Sequence, residues 1–485
     1  MSFATLDEHV LGEILCFCDI HCVLRFSQVN KYYHHVAFWK HVWISLVRDL
    51  EFRGLRDRDP DLELQACTTE SLVDMAKRVA LGPRTWSPAS AVPPTLSREV
   101  EVKLGESFEV TDPTLVHLLP GGRHLAVLHI LGGFSLWSVA TGGCIWTYEA
   151  QGLVFFDVDL RHGGDVAVFA LSSGSIQGYA WSHLLFSHYR YIEVFKVDLS
   201  TGHLFMALRF NLLWRRGHSQ KTTLSGDFLL PACLSKSIDT VQVVNWRANT
   251  CIRVQLPTII INAEIVGDHL LVIHGTHDSL LLDVYSLDSF DDWHSDLSSD
   301  APPVTQVPAA SLVVPFENVE DTITPHIMIH KHPARRGAYR IIFDSFLSCR
   351  NHPLARPKSL VGRVWNKIRT PAIDATKGIR HTFSFISPSN GTPPGLRLVS
   401  IAQFDRSPGS SSGYLMELHS YTTGSSAVLL DGYLERDGVS SKERPRRVVQ
   451  WPRVDGMSYA LPSLSVYSAA VVLVEGRMLR ILYYQ

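Results

Sequence analysis

Two spacings of apolar residues divide this chain. Over the first 50 positions they recur every three to four residues, the period of a helix with one buried face. Val10, Leu11, Ile14, Leu15 and Cys18 form a first stripe, with Asp7 as its N-cap and Glu8 in the first turn, where a carboxylate favours unpaired amides. Asp19 can cap a second helix carrying Val23, Leu24, Phe26 and Val29, and Asn30 breaks or re-caps it. Tyr33, Val36, Ala37, Trp39, Val42, Trp43, Leu46 and Leu50 predict two further pieces with a bend near residues 37–39. A charged link follows at residues 53–60. A helix is then expected over 62–81, with Leu72, Met75, Ala76 and Val79 on one face and Gly82-Pro83 as its stop. It could join the two parts of the chain rigidly. Three prolines among small residues at 87–95 mark a boundary.

From about Glu99 the period shortens towards two. Runs such as HLAVLHI, DVAVFAL, YIEVFKV, HLLVIHG, YRIIFDSF and MLRILYY are strand candidates, separated by turn signals such as Gly121-Gly122 and Gly267-Asp268. Several units share a loose form, an apolar strand and a turn followed by a second strand, as in SLWSVATGGCIW and QVVNWRANTCIRV. These resemble the outer strands of a β-propeller blade. Their separation is irregular and no Gly-His to Trp-Asp signature recurs, so a regular WD40 array is not expected. The fold class expected is a small all-α N-terminal module followed by a large all-β domain, an irregular propeller of seven or eight blades. The domains are a helical module at 4–50, a linker with one helix at 51–95 and a β-rich target-binding domain at 96–485. The last strand, ending near Gln485, would close the ring on the first segment of the domain. A pair of β-sandwiches is the rival fold. Segments 287–310, 349–380 and 404–413 are expected to be exposed loops.

Composition narrows the function classes. With 45 basic and 47 acidic residues the formal charge is -2, which gives no electrostatic case for nucleic acid or an anionic membrane. No stretch reaches the roughly 18 to 20 apolar residues of a membrane span. Asp7, Glu8 and Glu13 occupy the place where a signal peptide needs basic residues. The eight scattered cysteines form no disulfide framework, so a reducing compartment, cytoplasm or nucleus, is expected.

The helical segment holds more large apolar groups than so short a unit can enclose. The surplus must meet a partner or the chain's own β domain. Residues Leu6, Glu8, Ile14, Leu15, Asp19, Leu24, Val29, Asn30, Lys31, Tyr33, Phe38 and Trp39 fall in register on the pattern of an F-box, with Val29-Asn30-Lys31-x-Tyr33 the most specific piece. Segment 4–50 therefore resembles the F-box family. Asp7 stands where members usually carry proline, and Cys22-Val23 where many carry Asp-Leu. The resemblance implies docking on a Skp1-like adaptor, and through it a cullin-RING ubiquitin ligase. Leu6, Glu8, Val10, Leu11, Ile14, Leu15, Leu24, Val29 and Trp39 are implied as adaptor-binding or core positions. The β domain would then recognise a target protein of unknown identity. The alternative is an F-box-like scaffold without a role in ubiquitination; a third reading makes the helices a cap on their own β domain.

No enzyme is expected, and no cofactor or metal. The chain carries no Gly-x-Ser-x-Gly, His-Glu-x-x-His, GxxxxGK[ST] or Gly-x-Gly-x-x-Gly motif. Cys16, Cys18, His21 and Cys22 lie within helices, where their side chains diverge, so packing explains them better than zinc. Asp321, His326, His330 and His332 are the densest polar cluster, expected on a short strand between Pro325 and Pro333. Two basic runs, 353–377 and 444–447, are candidate sites for an acidic or phosphorylated ligand, against the plainer reading of solvated loops.

Overall fold

The computed structural model describes residues 6–56, 62–81, 95–104, 113–129, 133–149, 153–161, 164–177, 185–213, 222–231, 240–256, 260–275, 279–295, 297, 302–315, 322–347, 378–387, 395–404, 408–411, 414–419, 427–432, 447–450, 463–464, 470–475 and 478–484. It begins with helices α1 (Glu8–Cys16), α2 (Ile20–Ser27), α3 (Lys31–Ala37), α4 (Lys40–Phe52) and α5 (Thr69–Leu81).

The first three helices start where a short polar side chain can satisfy their orphan amides. Asp7 accepts from the His9 amide at 2.8 Å, Asp19 from Cys22 at 2.7 Å and Asn30 from Tyr33 at 2.9 Å. The bend expected near 37–39 is the break between α3 and α4. The fifth helix starts at Thr69, later than residue 62, and packs Leu72, Ala76 and Val79 into one core with Leu11, Leu15, Val23, Val36 and Leu46. It therefore packs as part of the helical core.

The body opens with β1 (Leu96–Lys103). Sheet 1 contains β2 (Pro113–Leu118), β3 (His124–His129), β4 (Gly133–Ser138) and β5 (Cys144–Glu149). Sheet 2 contains β6 (Leu153–Arg161), β7 (Val166–Gln177), β8 (Leu185–Asp198) and β9 (Leu204–Leu213). Sheet 3 contains β10 (Thr223–Ser225), β11 (Phe228–Leu230), β12 (Thr240–Asn245) and β13 (Thr250–Gln255). Sheet 4 contains β14 (Ile260–Val266), β15 (His269–Gly275) and β16 (Ser279–Ser286). The chain then returns to sheet 3 with β17 (Val304–Thr305) and completes sheet 4 with β18 (Ala310–Pro315). Sheet 5 contains β19 (Thr322–Lys331), β20 (Ala338–Leu347), β21 (Gly378–Ile386) and β22 (Gly395–Phe404). Sheet 6 contains β23 (Pro408–Ser411), β24 (Tyr414–His419), β25 (Ala427–Gly432) and β26 (Arg447–Gln450). Sheet 7 joins β27 (Ser463–Leu464), β28 (Ala470–Glu475) and β29 (Met478–Tyr484) to β1.

Among the described residues this gives seven sheets, each of four or five strands, in an order that resembles a β-propeller; no sheet closes on itself. First strands of neighbouring sheets pack side by side, β6 with β10, β10 with β14, β14 with β19, β23 with β27 and β27 with β2. The expected closure is present: β29 pairs antiparallel with β1, from Leu96–Tyr484 to Lys103–Met478. Both ends of the body thus share one sheet, and neither leaves an open edge where they meet.

The core lies between sheets. Leu118, Leu125 and Val127 of sheet 1 meet Val472, Leu479 and Ile481 of sheet 7, and Phe134 and Trp146 of sheet 1 meet Phe169 and Phe195 of sheet 2. Central strands are covered on both faces, which is why β3 and β15 read as unbroken apolar runs rather than alternating ones.

Three expected loops need correction. Segment 287–310 is pinned to sheet 3 through β17, and Cys251 exchanges backbone hydrogen bonds with His294. Residues 378–380 already belong to β21, and β23 lies inside segment 404–413. Pro325 falls within β19, at a register shift between Ile323 and His326, so the strand is longer than the two prolines suggested. All of basic run 353–377 and residues 444–446 lie outside the described residues, as does Asp321, while Arg447 opens β26.

Candidate protein-docking site and its joint to the body

The first helix divides its apolar residues between two directions. Leu11 and Leu15 fill the core of the helical module. Val10, Ile14 and Phe17 follow each other at helical spacing on the other side and are exposed, Phe17 to 77%. Leu24 in the second helix, Val29 just after it and Tyr32 in the third are exposed too, Val29 to 64%. Each large apolar side chain left in water forgoes about 1.5–3 kcal/mol that burial would return. These exposed apolar side chains make the helical face a candidate surface for another protein.

Of the nine positions implied by the F-box resemblance, Glu8, Val10, Ile14, Leu24 and Val29 are therefore on the surface. Leu11 and Leu15 are buried inside the module. Leu6 and Trp39 are half-buried, packed against the helical core. The Trp39 ring lies among His9, His35 and His41 and over Gly12, where an added Cβ would come within 2.9 Å of it. Phe17 and Tyr32 were not singled out from the sequence. Phe17 could have been found by extending the Val10–Ile14 spacing one more turn.

Among the described residues no strand seals this surface: the core around Leu15 is helical, with Ala334 the one apolar residue of the body packed against it. The module instead meets the body through polar groups. Arg53, just after the fourth helix, donates to the carbonyl oxygens of Pro333 at 2.9 Å and His332 at 2.6 Å, in the β19–β20 turn. Arg336 reaches back from that turn to the Phe17 carbonyl at 2.8 Å and the Asp49 carboxylate at 2.9 Å. Asp49 also faces Arg53 at 3.5 Å, so one carboxylate serves both arginines. Asp19 caps the second helix with one oxygen and accepts the Arg336 amide with the other. The His21 amide donates to the Ala334 carbonyl at 2.8 Å. Planar guanidinium groups with several donors in fixed directions hold orientation as well as distance. Gly54, at a φ of 69° open to glycine, lies against Leu160 of sheet 2 and Pro120 of the β2–β3 turn.

His332, expected only as part of a polar cluster, thus belongs to the joint. Burial, with Arg53, His21 and other cations nearby, lowers its pKa to about 4. Cys16 and Cys18 pack against the helical core, and burial raises their thiols, whereas Cys22 is exposed and desolvation with a hydrogen bond to Asp19 raises it to about 11. Among the described residues no three His, Cys, Asp or Glu side chains are placed to hold a metal, and no helix is long and apolar enough to cross a membrane.

No protein-family model matches the sequence, and no curated protein matches it. Solved structures of similar shape include the β-propeller domain of Cps50 (Swd1) from Myceliophteria_thermophila, with 12% identity over 81% of this chain and 100% of that one, at a TM-score of 0.44. The WD40 domain of SCAP from fission yeast gives 10% identity over 80% and 98%, at 0.38. Chaetomium thermophilum Raptor gives 8% identity over 94% of this chain and 36% of that one, at 0.45. All three TM-scores lie below 0.5, and the fold stands on strand order and pairing alone.

Proposed function

We propose that the chain is the target-recognition subunit of a Skp1-cullin-F-box ubiquitin ligase. The first three helices dock on the adaptor, and the body, a ring of seven blades, holds the target. The chemistry belongs to the partners, and this chain contributes proximity. A target held at a set distance from the charged conjugating enzyme meets it at a high effective concentration. The observation that carries this reading is the exposed set Val10, Ile14, Phe17, Leu24 and Val29, left over after the module has completed its own core. The arginine joint supports it, because proximity requires that the two binding surfaces keep a fixed relation.

The test is a calorimetric titration of Skp1 onto the full chain and onto the double variant Val10→Asp/Ile14→Asp. Both side chains are exposed, so the variant should melt within a few degrees of the parent. Skp1 affinity should fall at least tenfold. Equal affinity, or no binding to the parent, overturns the proposal.

A further inference from the structure

Sheets 2 and 3 treat their outer edges differently. On sheet 3 the last full strand, β13, is covered by the bridge from His294 and by β17 beside Val254 and Gln255. On sheet 2, β9 is the outermost strand, and among the described residues nothing pairs with its free edge. That edge carries three consecutive exposed apolar residues, Leu204, Phe205 at 66% and Met206 at 50% exposure. An apolar, unpaired edge is a template for an added strand, and proteins normally blunt such edges with charge, proline or a cover.

A cleft of about 570 Å³ lies beside the same strand, between it and the turns of sheet 3. Phe205 and Trp246 are on its apolar side, and Arg161, Lys196 and Arg247 bring three cations. Its two carboxylates are already engaged. Asp227 faces Arg161 at 3.2 Å and Arg247 at 3.5 Å. Asp198 accepts from the Ser200 amide and hydroxyl and from the Thr201 amide, closing its own turn. Lys196, directly across from Phe205 in the β8–β9 register, has no ion pair among the described residues. The cleft therefore sets the Lys196 ammonium, which no described carboxylate pairs, next to an apolar wall, at the side of an open strand edge.

We propose that the β9 edge and this cleft take an extended acidic segment of a target protein as an added strand. The inference rests on reading the body as the target-binding part, and not on which protein covers the helices. Side chains alternate along a strand, so those two residues apart point the same way. A bound segment then places an aspartate or glutamate on Lys196 and, two residues away, a leucine, isoleucine or phenylalanine against Phe205 and Trp246. Backbone hydrogen bonds to β9 supply affinity, and the paired acidic and apolar residues supply selectivity.

The experiment pans a displayed library of random dodecapeptides on the immobilised full chain. Synthetic copies of the enriched peptides are then titrated onto the parent, Lys196→Glu and Phe205→Ser. Enriched peptides should carry an acidic residue two positions from a large apolar one. Each variant should bind them at least tenfold more weakly while keeping the parent's melting temperature. Lys196→Ala, which adds no charge, should lose part of the affinity. Skp1 binding, measured on the same variants, should not change; its absence from the parent would sink the ligase reading and leave this one standing. Enrichment without acidic residues, no enrichment over the bare support, or binding indifferent to both variants overturns the proposal. So does a dimer in sedimentation equilibrium that Phe205→Ser dissolves, because the edge would then belong to a second copy of this chain.

Discussion

Trp43 and Trp39 stand four residues apart, and their side chains have different fates. Trp43 is buried to 2% exposure, with its indole N–H donating to the Ala37 carbonyl at 3.0 Å. Trp39 precedes the fourth helix as its N-cap residue and is only half-buried. Truncation of Trp43 to alanine should therefore cost about 3–5 kcal/mol of stability, and truncation of Trp39 clearly less. Urea unfolding of the two variants checks this, and equal losses would contradict it. Gly12→Ala should displace the Trp39 ring, which a shift in tryptophan fluorescence reads, because the new methyl group has no other room. The caps at Asp7, Asp19 and Asn30 were legible because capping is local chemistry. The direction of Trp39 was not, because periodicity places a residue on a stripe only inside a helix and Trp39 lies just outside one. The arginine joint was equally hidden: Arg53 and Arg336 are 283 positions apart in the sequence, and their acceptors are mostly backbone oxygens, which residue identity does not reveal.

At the scale of elements, strands were easier to read than their partnerships. Runs such as HLLVIHG announce a strand by β-branched content and length, and β15 occupies it in full. Pairing order needs distant segments, so the return of β17 to sheet 3 could not be read from residues 287–310. Closure by the last strand was legible, since MLRILYY is apolar enough to need neighbours on both sides. Deleting residues 478–485 should free the edges of β1 and β28 together. The truncated chain is expected to lose its cooperative melt or to aggregate, as sedimentation velocity would report; a monomer with unchanged melting contradicts the closure. Replacing Asp49 with asparagine removes the charge shared by Arg53 and Arg336. Protection of the 332–337 amides in hydrogen exchange should fall, with a loss of about 1–2 kcal/mol. Unchanged protection would show that the joint is held elsewhere.

For the whole molecule, three histidines whose pKa burial lowers make stability depend on pH, His129 among them. Burial, with Arg123 beside it, lowers His124 to about 4, and burial, with Arg53 nearby, lowers His332 to about the same value. Unfolded histidine titrates near ~6.5. Below that pH the unfolded chain takes up protons that the folded chain refuses, so stability present above about 6.5 is lost progressively towards 4. The urea midpoint should thus be lower at pH 5 than at pH 7.5, and an equal midpoint contradicts the assignment. The central claim is that a second protein covers the exposed helical face while the rigid joint leaves the body free for its target. Hydroxyl-radical footprinting of the full chain with and without Skp1 tests it most directly, since Phe17, Tyr32 and Phe205 are all exposed, reactive aromatic side chains. The account predicts that Skp1 protects Phe17 and Tyr32 and leaves Phe205 as reactive as before; reactivity unchanged at all three would contradict it.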